Sequence, residues 1–239
     1  MSAATKPYRI FSLGDAAITV DFGNVINEAI NQKVLNLFYQ LRDSPLKGMT
    51  EAVPAYCSLT VYYNVFEVSK KIAGSKSSVF DFMSAQLEER LNQALPDTTI
   101  PAKLITIPVC YEREYAPDIE HLAREKNITV EELIHIHSSK SYRVYMLGFM
   151  PGFSYMGEVD ESISFPRKPR PVTVVAGSVG IAGRQTGIYP LTSPGGWQII
   201  GRTPVKLFDA DASENDFCLL HPGDTVQFTS ISKHEFENY

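Results

Sequence analysis

Cysteine is scarce in this 239-residue chain: only Cys57, Cys110 and Cys218, far apart in sequence. An odd number so spaced excludes a disulfide framework and offers no CxxC metal pair, which points to a reducing cytoplasm. Long apolar runs are missing too. No stretch approaches the ~18 consecutive apolar residues of a membrane-spanning helix. The N-terminal MSAATKPYRIF also lacks the apolar centre of a signal peptide. A soluble cytoplasmic protein with no membrane partner is expected. Positive charge is equally thin. The formal net charge is −5, and the densest basic cluster is Arg167, Lys168 and Arg170, interleaved with prolines. Three such charges suffice for one anionic group but not for a nucleic-acid backbone.

What the chain does hold is concentrated in one stretch. Tyr145 to Arg202 carries ten of the 15 glycines, six of the 15 prolines and the single tryptophan, Trp197. Glycine and proline at that density exclude a long helix, while the apolar content is too high for a disordered linker. The stretch reads as a turn-rich β surface with ordered loops, where functional sites tend to lie. The whole chain is 44% hydrophobic and 21% charged, ordinary globular values that support one large domain or two.

The first hundred residues alternate strand and helix patterns. Tyr8 to Leu13 and Ala16 to Phe22 read as strands around a Gly14-Asp15 turn. Ile30, Val34, Leu37, Phe38 and Leu41 share one helical face behind an Asn27 N-cap, and Pro45 and Gly48 end that helix. Glu51 to Tyr63 reads as a strand, Val79, Met83, Leu87 and Leu91 as a helix stripe, and Lys103 to Val109 as a returning strand. The order βαββαβ fits an α+β ferredoxin-like domain over residues 1–98, with the boundary in Pro96 to Pro101. Beyond it, Asp118 to Lys126 and Val130 to His137 read as short helices, the second with a Thr129/Glu132 capping box. Everything after Tyr142 reads as strands and loops, so residues 99–239 are expected to form a mainly-β barrel with small helical additions.

Several constellations invite a chemical reading. On a helix, His135 and His137 point apart and share no metal, so no metal site is expected and a surface or helix-end role fits. His121, His221 and His234 are isolated. Gly152-Phe153-Ser154-Tyr155-Met156 resembles a GxSxG nucleophile elbow but ends in methionine and lacks the strand-to-helix context. Gly177, Ser178, Gly180 and Gly183 suggest a phosphate cradle, yet no Lys-Ser/Thr and no helix pattern follow; a tight turn with close strand packing competes with ligand contact. Phe149, Phe153, Tyr155, Tyr189, Gly196 and Trp197, joined by Arg143, Arg184, Gln185 and Thr186, have the mix of apolar walls and a few orienting groups that a small-molecule or partner pocket needs. Barrel core is the competing reading for any single aromatic. No acid, base or nucleophile stands out as catalytic.

Three longer motifs carry a resemblance. GFMPGFSYMG (Gly148 to Gly157), AGSVGIAGRQTGIYP (Ala176 to Pro190) and SPGGWQIIGRTP (Ser193 to Pro204) closely resemble the signatures of the family of 5-oxoprolinase B subunits, also called allophanate hydrolase subunit 1 or the sporulation-kinase inhibitor KipI. GDAAITVDFG from Gly14, VPAYCSLTVYY from Val53 and HPGDTVQF from His221 extend the likeness over essentially the whole chain. Glu112, Arg113, Ala116 and Cys57 depart from the family pattern.

The resemblance implies a ferredoxin-like domain followed by a cyclophilin-like barrel, and partners: subunits C and A, which together open 5-oxo-L-proline to L-glutamate with ATP. In a regulatory branch the same kind of chain inhibits a sensor histidine kinase, and related architectures act on other small amides. Charge developing on phosphate calls for cations and backbone N–H groups. Arg143, Arg184 and the Gly177 to Gly183 turn are this chain's candidates, with the rest of the site on a partner.

Overall fold

A computed structural model of the protein describes residues 6–93, 102–212 and 217–239. The chain divides into two compact units, Met1–Ile100 and Pro101–Tyr239. The boundary expected at Pro96 to Pro101 lies outside the described residues. No helix among those residues is long and apolar enough to cross a membrane.

The first unit contains β1 (Arg9–Ser12), β2 (Ala17–Asp21), α1 (Glu28–Asp43), β3 (Met49–Pro54), β4 (Ser58–Tyr63), α2 (Val65–Lys71) and α3 (Val79–Asn92). α1 starts where Asn27 accepts the Ile30 N–H at 3.0 Å, a cap worth about 1 kcal/mol. Its apolar stripe of Val34, Leu37 and Leu41 packs with Met83 and Leu87 of α3 on Ile18, Val20, Leu59 and Val61. These side chains are fully removed from water, each worth about 1.5–3 kcal/mol by transfer.

The sheet order is β1-β2-β4-β3, antiparallel throughout. This corrects the expected linear order βαββαβ: two strands precede α1 and two follow it. The Glu51 to Tyr63 run is two strands, because the chain reverses at Ala55-Tyr56-Cys57 and the Ala55 N–H meets the Ser58 carbonyl. The expected closing strand, Lys103 to Val109, belongs to the other unit, and the place beside β2 is taken by the N-terminal β1.

The second unit contains β5 (Leu104–Cys110), α4 (Ile119–Glu125), α5 (Val130–Ser138), β6 (Ser141–Leu147), β7 (Ser154–Gly157), β8 (Val172–Val174), β9 (Ser178–Ala182), β10 (Gln185–Ile188), β11 (Ser193–Gly195), β12 (Gln198–Arg202), β13 (Thr225–Ile231) and α6 (Lys233–Glu237). Seven strands close a barrel in the order β10-β7-β6-β13-β5-β12-β9. β5 and β13 run parallel, and the other neighbours are antiparallel. A two-stranded ribbon, β8 with β11, stands apart from the barrel sheet.

The period-2 pattern of the strands creates two cores. Val144, Met156, Val179, Ile181, Ile200, Val226 and Phe228 belong to the larger one. Their strand neighbours Tyr155, Ala182 and Ile199 face the other way, into a separate cluster with Phe153, Val174, Tyr189 and Trp197. β9 is therefore buried on both faces, which accounts for its unbroken small and apolar run. The capping box on α5 forms as its sequence indicates, with Thr129 and Glu132 exchanging hydrogen bonds. His137, near the end of that helix, is not a surface residue: it is fully buried in the barrel interior, stacked on Phe228 at 4.6 Å.

Candidate functional site

The second cluster opens as a cleft of about 380 Å³, lined on one side by Phe149, Phe153, Tyr155, Tyr189, Gly196 and Trp197. Phe153 is the hub. Its ring meets those of Phe149, Tyr155, Tyr189 and Trp197 at 5.6, 4.8, 5.0 and 5.3 Å, each edge to face. Such pairs add about 0.5–1.5 kcal/mol each beyond burial. Two glycines make this packing possible. A Cβ on Gly187 would stand 2.8 Å from the Ser154 carbonyl and 3.0 Å from Trp197 Cζ3; one on Gly195 would stand 2.5 Å from the Tyr189 hydroxyl. Phe149 holds a left-handed φ of 70°, a strain of order 1–3 kcal/mol that concentrates at functional loops. Its ring is 62% exposed at the mouth.

The facing wall is the segment leading into β8, with Arg167, Lys168, Pro169 and Pro171, and Pro194 and Gly195 of β11. The backbone here is pinned. Gln198 donates to the Pro166 carbonyl at 2.9 Å and the Lys168 N–H to Gly196 at 2.7 Å. The Lys168 ammonium pairs with Asp118 at 2.5 Å, and Asp118 also accepts the Ile199 N–H at 2.6 Å. Arg167 lies over the Trp197 ring at 5.9 Å.

Burial raises the Tyr155 phenol, with Arg167 pulling it the other way. Burial also raises Tyr189, opposed by the Trp197 N–H donated to its oxygen and by Arg167. Both phenols are neutral near pH 7, and the cleft combines apolar rings with hydroxyls and cations.

The remaining sequence candidates fall elsewhere. Gly180 lies beneath the cleft, its hypothetical Cβ 3.1 Å from that of Trp197. Gly177 has a φ of 83° and so little room that a Cβ would sit 2.4 Å from the Thr203 carbonyl. Ser178 lines a separate hollow of about 130 Å³ with Tyr115 and Arg202. Thr186 is buried in the barrel. Arg184 pairs with Glu158 at 2.8 Å on the surface. Arg143 and Gln185 flank Gly157 in register on β6, β7 and β10. Arg143, Arg184, Gln185 and Thr186 are thus not among the residues that line the cleft with the aromatics.

The phosphate-cradle reading of the Gly-rich turn meets a similar obstacle. The Gly177 N–H donates to Tyr189, the Gly183 N–H to Phe165, and Gly180 is paired within the barrel on both sides. The turn does not fit a nucleotide phosphate. Ser154 sits on β7, fully buried, with no elbow. Sequence reasoning left Arg167, Lys168, Pro169, Pro171, Pro194 and Gly195 out of the pocket. The signal was the proline-flanked basic cluster, sized for one anion.

A closed barrel whose outer wall carries an aromatic cleft, preceded by a separate α+β unit, defines a class, and sequence comparison gives it a family. Residues 8–220 match the family described as carboxyltransferase domain, subdomain C and D, and the chain belongs to that family. Within it, the chain is 44% identical over 237 residues to the B subunit of 5-oxoprolinase from Bacillus subtilis (strain 168), covering 98% of each. It is 34% identical over 224 residues to the B subunit of 5-oxoprolinase from Escherichia coli O157:H7, covering 92% of this chain and 94% of that one. The crystal structure of TTHA0988 matches with a TM-score of 0.76 at 33% identity, over 90% of this chain. This chain spans 40% of that protein's length.

Proposed function

We propose that the chain is the B subunit of an ATP-dependent 5-oxoprolinase, acting with subunits C and A to open 5-oxo-L-proline to L-glutamate. The observation that carries this reading is the 44% identity, over almost the full length of both chains, to a 5-oxoprolinase B subunit. The cleft is compatible with it. Its volume of about 380 Å³ lies in the ~300–1,000 Å³ range of small-ligand pockets.

A five-membered lactam is a stable amide, so opening it requires the carbonyl to be activated and the developing charge to be held. This chain's Gly-rich turn has its N–H groups committed to the sheet. Nucleotide binding and activation are therefore assigned to the partner subunits. What this chain contributes is a rigid, largely apolar wall that holds the ring in one orientation and keeps bulk water from it.

The test is reconstitution. The purified chain alone is expected to be inert, whereas the chain mixed with its subunits C and A releases ADP and glutamate only when 5-oxoproline is present. Turnover by the chain on its own, or no 5-oxoproline dependence in the assembly, overturns the assignment.

A further inference from the structure

Charge in the cleft is unevenly compensated. Two cations, Arg167 and Lys168, are among its lining residues and no carboxylate is. Lys168 is neutralised by Asp118, both side chains being only 18% exposed. Arg167 has no acidic partner among the described residues; its guanidinium lies over the Trp197 ring and acts on the Tyr155 and Tyr189 phenols. A single uncompensated positive charge therefore faces a space otherwise walled by rings.

That charge is also held in place. Pro166 and Pro169 bracket Arg167 and Lys168, and the Pro166 carbonyl and Lys168 N–H are both hydrogen-bonded to the β11–β12 segment. The backbone at Arg167 loses little freedom on binding, which favours affinity. A guanidinium offers a two-pronged fit to a carboxylate. The Tyr189 ring beside it is buried, its oxygen accepting the Trp197 backbone N–H. Phe149, Pro171 and Pro194 complete an apolar surround. A nucleotide, needing several phosphate contacts, finds one free cation and no open N–H cradle.

We infer that the cleft binds a small ring carrying one carboxylate, with Arg167 taking the carboxylate and the Phe153-centred aromatics taking the face of the ring. This deepens, and rests on, the reading of the chain as part of a 5-oxoprolinase: the ring is then a lactam, and Arg167 is the residue that selects its carboxylate.

Trp197, the only tryptophan, is a wall of the cleft, so its fluorescence reports occupancy in the full-length chain. Titration with 5-oxo-L-proline is expected to give a saturable change. 2-Pyrrolidinone, the same ring without the carboxylate, and acetate, a carboxylate without the ring, should each bind about tenfold or more weakly. Arg167→Gln should weaken 5-oxoproline by about 10–100-fold and leave 2-pyrrolidinone unchanged, while Arg170→Gln, outside the cleft, stays within about twofold. Equal affinity of Arg167→Gln for 5-oxoproline, equal binding of 2-pyrrolidinone, or no saturable response overturns the inference. Glutamate release by the assembled subunits, measured in parallel, separates the two readings. Turnover without any Trp197 response puts the substrate on a partner and sinks only the cleft assignment. Carboxylate-dependent binding without turnover keeps the cleft and sinks the 5-oxoprolinase function.

Discussion

His137 Nε2 lies 3.0 Å from the hydroxyl of Thr186, deep inside the barrel. The Thr186 proton goes to the Gly180 carbonyl at 3.1 Å, so Thr186 must accept from Nε2–H. Nδ1 is then bare and accepts the Tyr111 hydroxyl at 2.8 Å. One tautomer satisfies every partner, and it is neutral. The chain of bonds ties α5 to β10, whose outer face packs against the cleft.

Acid should therefore cost this protein stability through His137. Burial pushes its folded-state pKa down from 6.5 to about 3. Below pH 6.5 the unfolded chain binds a proton that the folded chain refuses, so the contribution is complete above 6.5 and is lost as pH falls toward 3. The slope is about 1.4 kcal/mol per pH unit, or about 2 kcal/mol by pH 5. Urea unfolding at pH 7.5 and pH 5 should show a smaller pH loss for His137→Gln than for the wild-type chain. Equal losses would mean that His137 titrates freely.

Gly187→Ala should strain the cleft from beneath. The new methyl group would meet backbone at 2.8 Å and the Trp197 ring at 3.0 Å, overpacking that costs about 1–3 kcal/mol. A fall in melting temperature together with a shifted Trp197 emission is expected. A wild-type spectrum and melting curve would show that the rings tolerate the methyl.

Arg184→Ala and Trp197→Ala should separate surface from site. Arg184 is 57% exposed in a pair with Glu158, and such a pair is worth about 0–1 kcal/mol. Its removal should leave melting temperature and 5-oxoproline binding near wild type. Trp197→Ala removes a buried ring and a wall of the cleft, with a stability loss of about 3–5 kcal/mol and loss of binding, read by calorimetry. Full ligand affinity in Trp197→Ala would displace the site from this cleft.

The second unit should fold alone. Its seven strands close on one another, so a fragment of residues 102–239 needs no strand from the first sheet. Circular dichroism is expected to show one cooperative thermal transition; a gradual, non-cooperative change would refute autonomy.

Local signals in the sequence are legible where one residue type does one physical job. The Asn27 cap and stripe of α1, and the Thr129/Glu132 box of α5, stand where their periodicity and spacing put them. The reversal at Ala55-Tyr56-Cys57 is hidden because it contains no glycine, proline or asparagine to mark a turn. The partner of β5 is hidden because strand pairing over such a distance leaves no periodic trace. In the site, the aromatics are legible from the Gly-Pro loops around them. Arg167 does not join them on sequence grounds because only the fold brings the 166–171 segment against Trp197.

The parallel pairing of β5 with β13 brings Leu104 beside Thr225 and Cys110 beside Ile231. The barrel's first strand must wait for its last, more than a hundred residues later, before the wall is complete. During synthesis on the ribosome, the first unit can settle as soon as α3 has emerged, whereas the barrel holds an open seam until nearly the whole of its sequence has been translated. Long-range closure of this kind slows folding and leaves strand edges exposed meanwhile, so the interval before β13 emerges is when the nascent barrel is most in need of chaperone cover.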